Sequence, residues 1–243
     1  MWPNFTVNYS PNFSFSKRSK KKIKFIIIHY TGMNDESLAI KKLCRFNSNV
    51  SSHYFIKKNG EVLILVPDQY EAWHAGKSNW KKYISLNKHS IGIEIQNPGH
   101  ENNYQNFSLN QINSLKALLK DLVKVYKISP KNILGHSDIA PDRKKDPGEK
   151  FPWKILAKNK LAHWHNLNEN KLKKYRKIEI NINKENKFFK NLDKIGYKKK
   201  NSQNIHLNNK FLVKAFQRRF RQNLVDGKID EECLLISENL IKY

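Results

Sequence analysis

Proline and glycine divide this chain into two unlike parts. All eight prolines and seven of the nine glycines lie at or before Pro152, and the last 91 residues hold only Gly196 and Gly227. Proline fixes φ and removes a backbone donor, and glycine adopts conformations that other residues avoid, so both punctuate secondary structure. The partition predicts a turn-rich α/β region up to about residue 160 and a mostly helical tail.

Within the first part, Lys24–His29 reads as a buried strand running into a Tyr30-Thr31-Gly32 turn. Asn34 or Asp35 can cap a helix over about residues 36–46. Tyr54–Lys58 and Val62–Val66 flank Asn59-Gly60, a hairpin signal. Ser90–Gln96 alternates, with Ile91, Ile93 and Ile95 on one face and Gly92, Glu94 and Gln96 on the other. Ser108 and Gln111 form a capping-box pattern ahead of an amphipathic helix whose stripe runs Leu109, Ile112, Leu115, Leu119, Leu122, Tyr126. Ile133–Leu134 is a short strand delivering Gly135-His136 to its end. Strands interleaved with helices give an α/β class, a mixed β-sheet flanked by helices. Residues 161–185 are polar and weakly periodic and read as a linker. The tail, 186–243, reads as a small all-α C-terminal domain of three helices, Phe188–Gly196, Lys210–Leu224 and Asp230–Leu240.

At 243 residues the chain can bury a sizeable core without cross-links. Two cysteines, Cys44 and Cys233, exclude a disulfide framework and any four-cysteine zinc module, and both read as small buried residues. The longest apolar run, Phe25-Ile26-Ile27-Ile28, has strand length, so no membrane span is expected. The formal charge of +25 predicts attraction to polyanions. That charge is spread evenly, +12 over residues 1–153 and +13 over the rest, and it comes from 39 lysines against 7 arginines. Specific nucleic-acid readout favours arginine's planar fork, so no nucleic-acid partner is required. The basic run Lys17–Lys24 reads as a solvated lead-in to the first strand.

The segment from Gly135 to Gly148 carries chemistry. It places His136 and Asp146 ten residues apart in a loop stiffened by Pro141 and Pro147. His29 ends another strand. If the two strands lie side by side, both imidazoles emerge at one sheet edge beside Asp146. Two histidines and one carboxylate suit zinc and leave a fourth position open, the arrangement of a catalytic site. Taken alone, a strand-end histidine is more often a hydrogen-bonded core or surface residue, and the spacing does not decide between the two.

The segments IIIHYTG, SSHYFIKKNGEV, AWHAGKSNW, SIGIEIQNPGHE and ILGHSDIAPDRKKDPGEKFPW, in that order over about residues 22–156, resemble the type-2 N-acetylmuramoyl-L-alanine amidases. The tail segment AFQRRFRQNLVDGKIDEEC is similar to the three-helix peptidoglycan-binding module that often follows them. The resemblance implies a catalytic domain over residues 1–160 with zinc ligands His29, His136 and Asp146, catalytic Glu94 and Lys144, and His74, Trp73 and Asn97 along the substrate groove. It implies hydrolysis of the amide between the lactyl group of N-acetylmuramic acid, or its 1,6-anhydro form, and L-alanine. Glu94 would act as general base and then acid, Lys144 would stabilise the oxyanion, and Gly92 would leave room for substrate. His53 is expected to support the site, and His89, His100, His163, His165 and His206 to lie on surfaces. Trp73, Trp80 and Trp153 are candidate sugar platforms, with packing expected for two of them.

A non-catalytic peptidoglycan receptor on the same fold is the alternative, but all five metal and catalytic positions are kept. A polyanion binder would leave the HSDIAPDRKKDPG loop unexplained. The expected partners are soluble peptidoglycan fragments or the sacculus, with oligomeric state left open. With Met1 as the native start, the absence of a signal sequence points to the cytoplasm, and the wall-binding tail to a periplasmic or envelope site.

Overall fold

The computed structural model describes residues 5–199 and 205–242. Its strands are β1 (Phe5–Val7), β2 (Phe13–Ser14), β3 (Phe25–Tyr30), β4 (Tyr54–Ile56), β5 (Val62–Ile64), β6 (Glu71–Ala72), β7 (Asn79–Trp80), β8 (Tyr83–Ile84), β9 (Ser90–Ile95) and β10 (Ile133–Gly135). The α-helices are α1 (Glu36–Cys44), α2 (Leu109–Tyr126), α3 (His136–Ile139), α4 (Trp153–Lys158), α5 (Glu169–Leu172), α6 (Ile182–Ile195), α7 (Ile205–Phe220) and α8 (Glu231–Leu240). Six strands form one mixed sheet in the order β1-β5-β4-β9-β3-β10, while β2 pairs with β6 and β7 with β8. Within the six-stranded sheet β4 and β5 are the one antiparallel pair, as the Asn59-Gly60 turn requires, and the two small sheets are antiparallel as well.

Registry follows from what each face buries. His29 on β3 is opposite Glu94 on β9, and Ile28 is opposite both Ile93 on β9 and Gly135 on β10. Successive side chains of a strand alternate between faces. Ile26 and Ile28 therefore join Ile91, Ile93 and Ile95 in a core beneath Ile112, Leu115, Leu118, Leu119 and Leu122 of α2. Each such side chain contributes about 1.5–3 kcal/mol when buried, so a one-residue slip that turned this row to solvent would be prohibitive. The opposite face carries Phe25, Ile27 and then His29. Since β3, β9 and β10 are parallel, His29, Glu94 and His136 reach the same sheet edge.

Helix α2 starts as its sequence predicts: Ser108 Oγ accepts from Gln111 N at 3.2 Å, and Gln111 Oε1 accepts from Ser108 N at 2.9 Å. The expected stripe needs one correction. Leu109 is 74% exposed, and the buried row runs Ile112, Leu115, Leu118, Leu119, Leu122. Leu109 is the first helical residue and lies off the face that the four later leucines define.

Residues 161–185 differ from the expected linker. They hold α5, a 3-10 turn over Lys173–Tyr175, the start of α6, and buried Leu161, Ala162, His165 and Leu172. Arg176 reaches Glu232 with two hydrogen bonds, at 2.6 and 2.8 Å. These anchors are too widely spaced to produce a local period.

The tail packs on the second face of the sheet. Phe25, Ile27 and Leu134 share one core with Trp80, Leu86, Phe188, Tyr197, Leu212 and Phe216. At its centre Asp138, 1% exposed, accepts from Tyr197 Oη at 2.5 Å, Arg219 Nη1 at 2.5 Å and Gly135 N at 2.8 Å. Arg219 also donates to Ile133 O at 3.0 Å and lies 4.2 Å from the Trp153 ring centre. A buried ion pair thus joins the helical tail to the turn of chain that bears His136.

Candidate active site

Three side chains from distant parts of the chain meet at the sheet edge. His29 Nδ1 is 2.9 Å from His136 Nδ1, and each is 3.1 Å from Asp146 Oδ2. All three residues are buried. His136 begins α3, and Ser137 N donates to Asp146 O at 2.8 Å, which folds the Pro141–Pro147 loop back onto the strand end. His136 Nε2 lies 3.1 Å from Ala75 O. A carbonyl only accepts, so that nitrogen carries the proton and Nδ1 of the neutral ring is a bare lone pair. A bare imidazole nitrogen, a carboxylate oxygen and a second imidazole nitrogen converging within about 3 Å is the spacing of atoms in one coordination shell, and the donor set fits a divalent ion such as zinc.

Electrostatics follow from burial and proximity. Desolvation, reinforced by His136, lowers His29 to about 4. Burial works against ionisation of Asp146, but the two histidines beside it hold its carboxyl well below the usual range. Glu94 titrates oppositely: desolvation, aided by the Asp146 charge, pushes it up to about 8. Its Oε2 is buried without a hydrogen-bond partner. An unpartnered carboxyl beside a cluster able to hold a metal is costly as structure, and such groups mark chemistry.

A cavity of about 350 Å³ opens over the cluster, lined by Glu94, Trp73, Lys42, Lys144, His29, His136 and Asp146 among others. That volume is in the range of small-molecule sites. Lys144 is partly buried, with its backbone N bonded to Ala140 O at 3.0 Å. An open concavity of about 850 Å³ on the tail, bordered by Lys177, Phe189, Lys210 and Asp230, shares no lining residue with it.

Not every expected residue is where the motif suggests. Trp73 lines the cavity, with Nε1 donating to Ser14 Oγ at 3.2 Å, while Trp80 and Trp153 are buried as packing. Asn97 is 2% exposed and braces a loop instead, donating to Gln105 O at 2.9 Å and accepting from Gly99 N at 3.0 Å. His74 touches the cavity but is turned inward against His29, 3.0 Å between His29 Nε2 and His74 Nδ1. Gly92 makes room for that ring and not for substrate: a Cβ there would fall 2.4 Å from His74 Cγ. His53 supports the site from behind, accepting from Gly92 N at 2.9 Å.

Two of the histidines expected on surfaces are also built in. His165 is 6% exposed, and His100 lies between Tyr30 Oη at 2.9 Å and Glu149 Oε2 at 3.0 Å. Within the Lys17–Lys24 run, Arg18 is buried, donating to Asp68 O and Asn87 O and touching His53 Nε2 at 2.8 Å. Sequence reasoning gave no role to Arg143 or Asp138. Arg143 donates to Ala75 O at 2.5 Å and to Lys77 O at 2.6 Å, fixing the carbonyl that orients His136. Asp138, in the first turn after Gly135, had a legible signal as a helix-start carboxylate.

Comparison with known proteins agrees with this geometry. Residues 19–149 match the family described as N-acetylmuramoyl-L-alanine amidase. The chain is 35% identical over 234 residues to the N-acetylmuramoyl-L-alanine amidase AmiD of Escherichia coli K12, covering 91% of this chain and 83% of that one. The E. coli AmiD structure, a complex with anhydro-N-acetylmuramic acid-L-Ala-D-γ-Glu-L-Lys, superposes with a TM-score of 0.80 at 32% identity over 94% of this chain and 92% of that one. AmpDh3 of Pseudomonas aeruginosa gives 0.80 at 29% identity, with 98% of both chains covered. With the His29–His136–Asp146 cluster, the orphaned carboxyl and the fold in agreement, the chain belongs to the N-acetylmuramoyl-L-alanine amidase family.

Proposed function

We propose that His29, His136 and Asp146 hold zinc and that the site hydrolyses the amide between the lactyl group of N-acetylmuramic acid, or its 1,6-anhydro form, and L-alanine of a muropeptide. The observation that carries this reading is the convergence of both Nδ1 atoms and Asp146 Oδ2 in one cavity with the unpartnered Glu94 carboxyl. Zinc bound there supplies Lewis-acid activation of the amide carbonyl and of water.

The chain's own residues supply the proton transfers. Burial raises the Glu94 carboxyl above the usual range, which favours its taking a proton from attacking water and handing it to the departing amine of L-alanine. Glu94 is placed for this by β9, which sets it opposite His29. Lys144, across the cavity wall, offers an ammonium to the oxyanion of the tetrahedral intermediate. Trp73 lines the same cavity, and its indole suits a sugar ring or the lactyl methyl.

The test is product analysis. Zinc-loaded protein is incubated with soluble 1,6-anhydro-muropeptide and, separately, with intact sacculi, beside an EDTA-treated control, and products are read by mass spectrometry. Peptide beginning at L-alanine, lost with EDTA, supports the reading, and the preferred substrate assigns recycling or wall turnover. No cleavage of either substrate by zinc-loaded protein sinks it.

A further inference from the structure

His74 borders the cavity but is buried, its ring turned inward against His29. Its ring stands edge-on to His29, with centroids 5.1 Å apart, and the glycine at position 92 exists to admit it. Such an arrangement costs a strand residue its side chain, so the ring's contacts need an account.

One line of hydrogen bonds fixes where each proton along it sits. Leu86 O can only accept, and Ser90 Oγ lies 2.7 Å from it, so the single hydroxyl proton of Ser90 is committed there. Ser90 Oγ is then an acceptor toward His74 Nε2 at 3.2 Å, which places the imidazole proton of His74 on Nε2. A neutral His74 therefore presents a bare Nδ1 to His29 Nε2 at 3.0 Å, and that nitrogen of His29 must be the one that donates. With its proton on Nε2, His29 turns a bare Nδ1 toward His136 and Asp146. The opposite polarity would place a proton on His29 Nδ1, inside the ligand triangle, where it would expel a cation.

We propose that His74 is a positioning residue for the metal ligand His29: through the line Leu86 O, Ser90 Oγ, His74 and His29 Nε2 it fixes the tautomer that frees His29 Nδ1 for the ion. The proposal rests on the metal-site reading above. It parallels the role of Ala75 O toward His136, so adjacent residues of one turn set both histidine ligands. Outer-shell partners of this kind raise ligand basicity and hold the ring, and their loss commonly weakens metal affinity 10–100-fold.

The experiment uses zinc-loaded full chain labelled with nitrogen-15. Long-range proton–nitrogen spectra should show His29 and His74 both protonated at Nε2, with a scalar coupling across the hydrogen bond from His29 Nε2 to His74 Nδ1. A His74 protonated at Nδ1, or a His29 Nε2 proton uncoupled to His74, overturns the proposal. Zinc affinity is then measured by chelator competition. His74→Leu should bind zinc about 10–100-fold more weakly, while His74→Asn, which keeps an acceptor near the Nδ1 position, should remain within about 3-fold of the parent. Ser90→Ala, a smaller perturbation that serves if His74→Leu does not fold, should fall between them. Parent-like affinity in a folded His74→Leu or Ser90→Ala overturns the proposal and leaves the amidase reading intact. A parent chain that binds no zinc overturns both.

Discussion

The joint between tail and sheet makes a quantitative prediction. Arg219→Met keeps an unbranched stem over Trp153 but removes the guanidinium from Asp138. That carboxylate is 1% exposed, and the lost bonds are those at 2.5 Å to Asp138 Oδ2 and 3.0 Å to Ile133 O. What remains is Tyr197 Oη and Gly135 N, two neutral donors facing a buried charge. Breaking such a pair on one side costs about 3–5 kcal/mol, because the surviving charge has no counterion. At about 2–4 °C per kcal/mol for a chain of this size, the melting temperature should fall by roughly 6–20 °C. The assay is thermal and urea unfolding by circular dichroism at matched zinc. Adding Asp138→Asn to Arg219→Met removes the orphaned charge while keeping an oxygen for Gly135 N, and should recover about 0.5–3 kcal/mol of the loss. A single-variant cost below about 1 kcal/mol would refute the reasoning, since that is the behaviour of a solvated surface pair.

Glu94→Gln should bind zinc as the parent does and lose about 10²–10⁴-fold in kcat, read with a muropeptide by mass spectrometry; retained turnover would remove Glu94 from the proton path. Lys144→Met should raise the barrier by about 2.7–4 kcal/mol, as loss of one oxyanion donor does, with the loss seen in kcat at saturating substrate. Stability should also depend on pH through His165, whose pKa burial lowers to about 4 in the folded chain from 6.5. Between those values the unfolded chain binds a proton that the folded chain refuses. Stability is therefore full above pH 6.5, declines as pH falls, and levels off below pH 4, for roughly 3 kcal/mol in total. His165→Phe should flatten that slope in urea titrations from pH 6.5 to 4.5, and an unchanged slope would assign the acid sensitivity elsewhere.

The sheet edge was legible in part, where local pattern and global position coincide. Alternation in Ser90–Gln96 assigns Glu94 to the face opposite the isoleucines, whereas the unbroken run Phe25–Ile28 marks a buried strand without assigning its faces, and only the β3–β9 pairing sets His29 opposite Glu94. The His136–Asp146 loop was legible from its prolines and its motif. Asn97, His165, Arg18 and the 161–185 stretch were misread. Arg18 and the 161–185 stretch are polar locally and held by partners far along the chain, Asp68 and Glu232, while Asn97 is taken up by a loop bracing Gly99 and Gln105 that no periodicity announces.

His74 shows where that limit acts on function. The family resemblance placed it along the substrate groove beside Trp73, and nothing within ten residues contradicts this. Ser90 and His29 lie 16 and 45 residues away, and only the strand order β9-β3 brings both to its two nitrogens. Identity of a metal ligand is a property of one residue at a strand end. In the proposed line the tautomer of His29 depends on three protons ordered along four residues, and that order exists only once the fold has formed. Substitutions at Ser90 or Gly92, neither of them a ligand, should therefore change metal affinity before they change the fold.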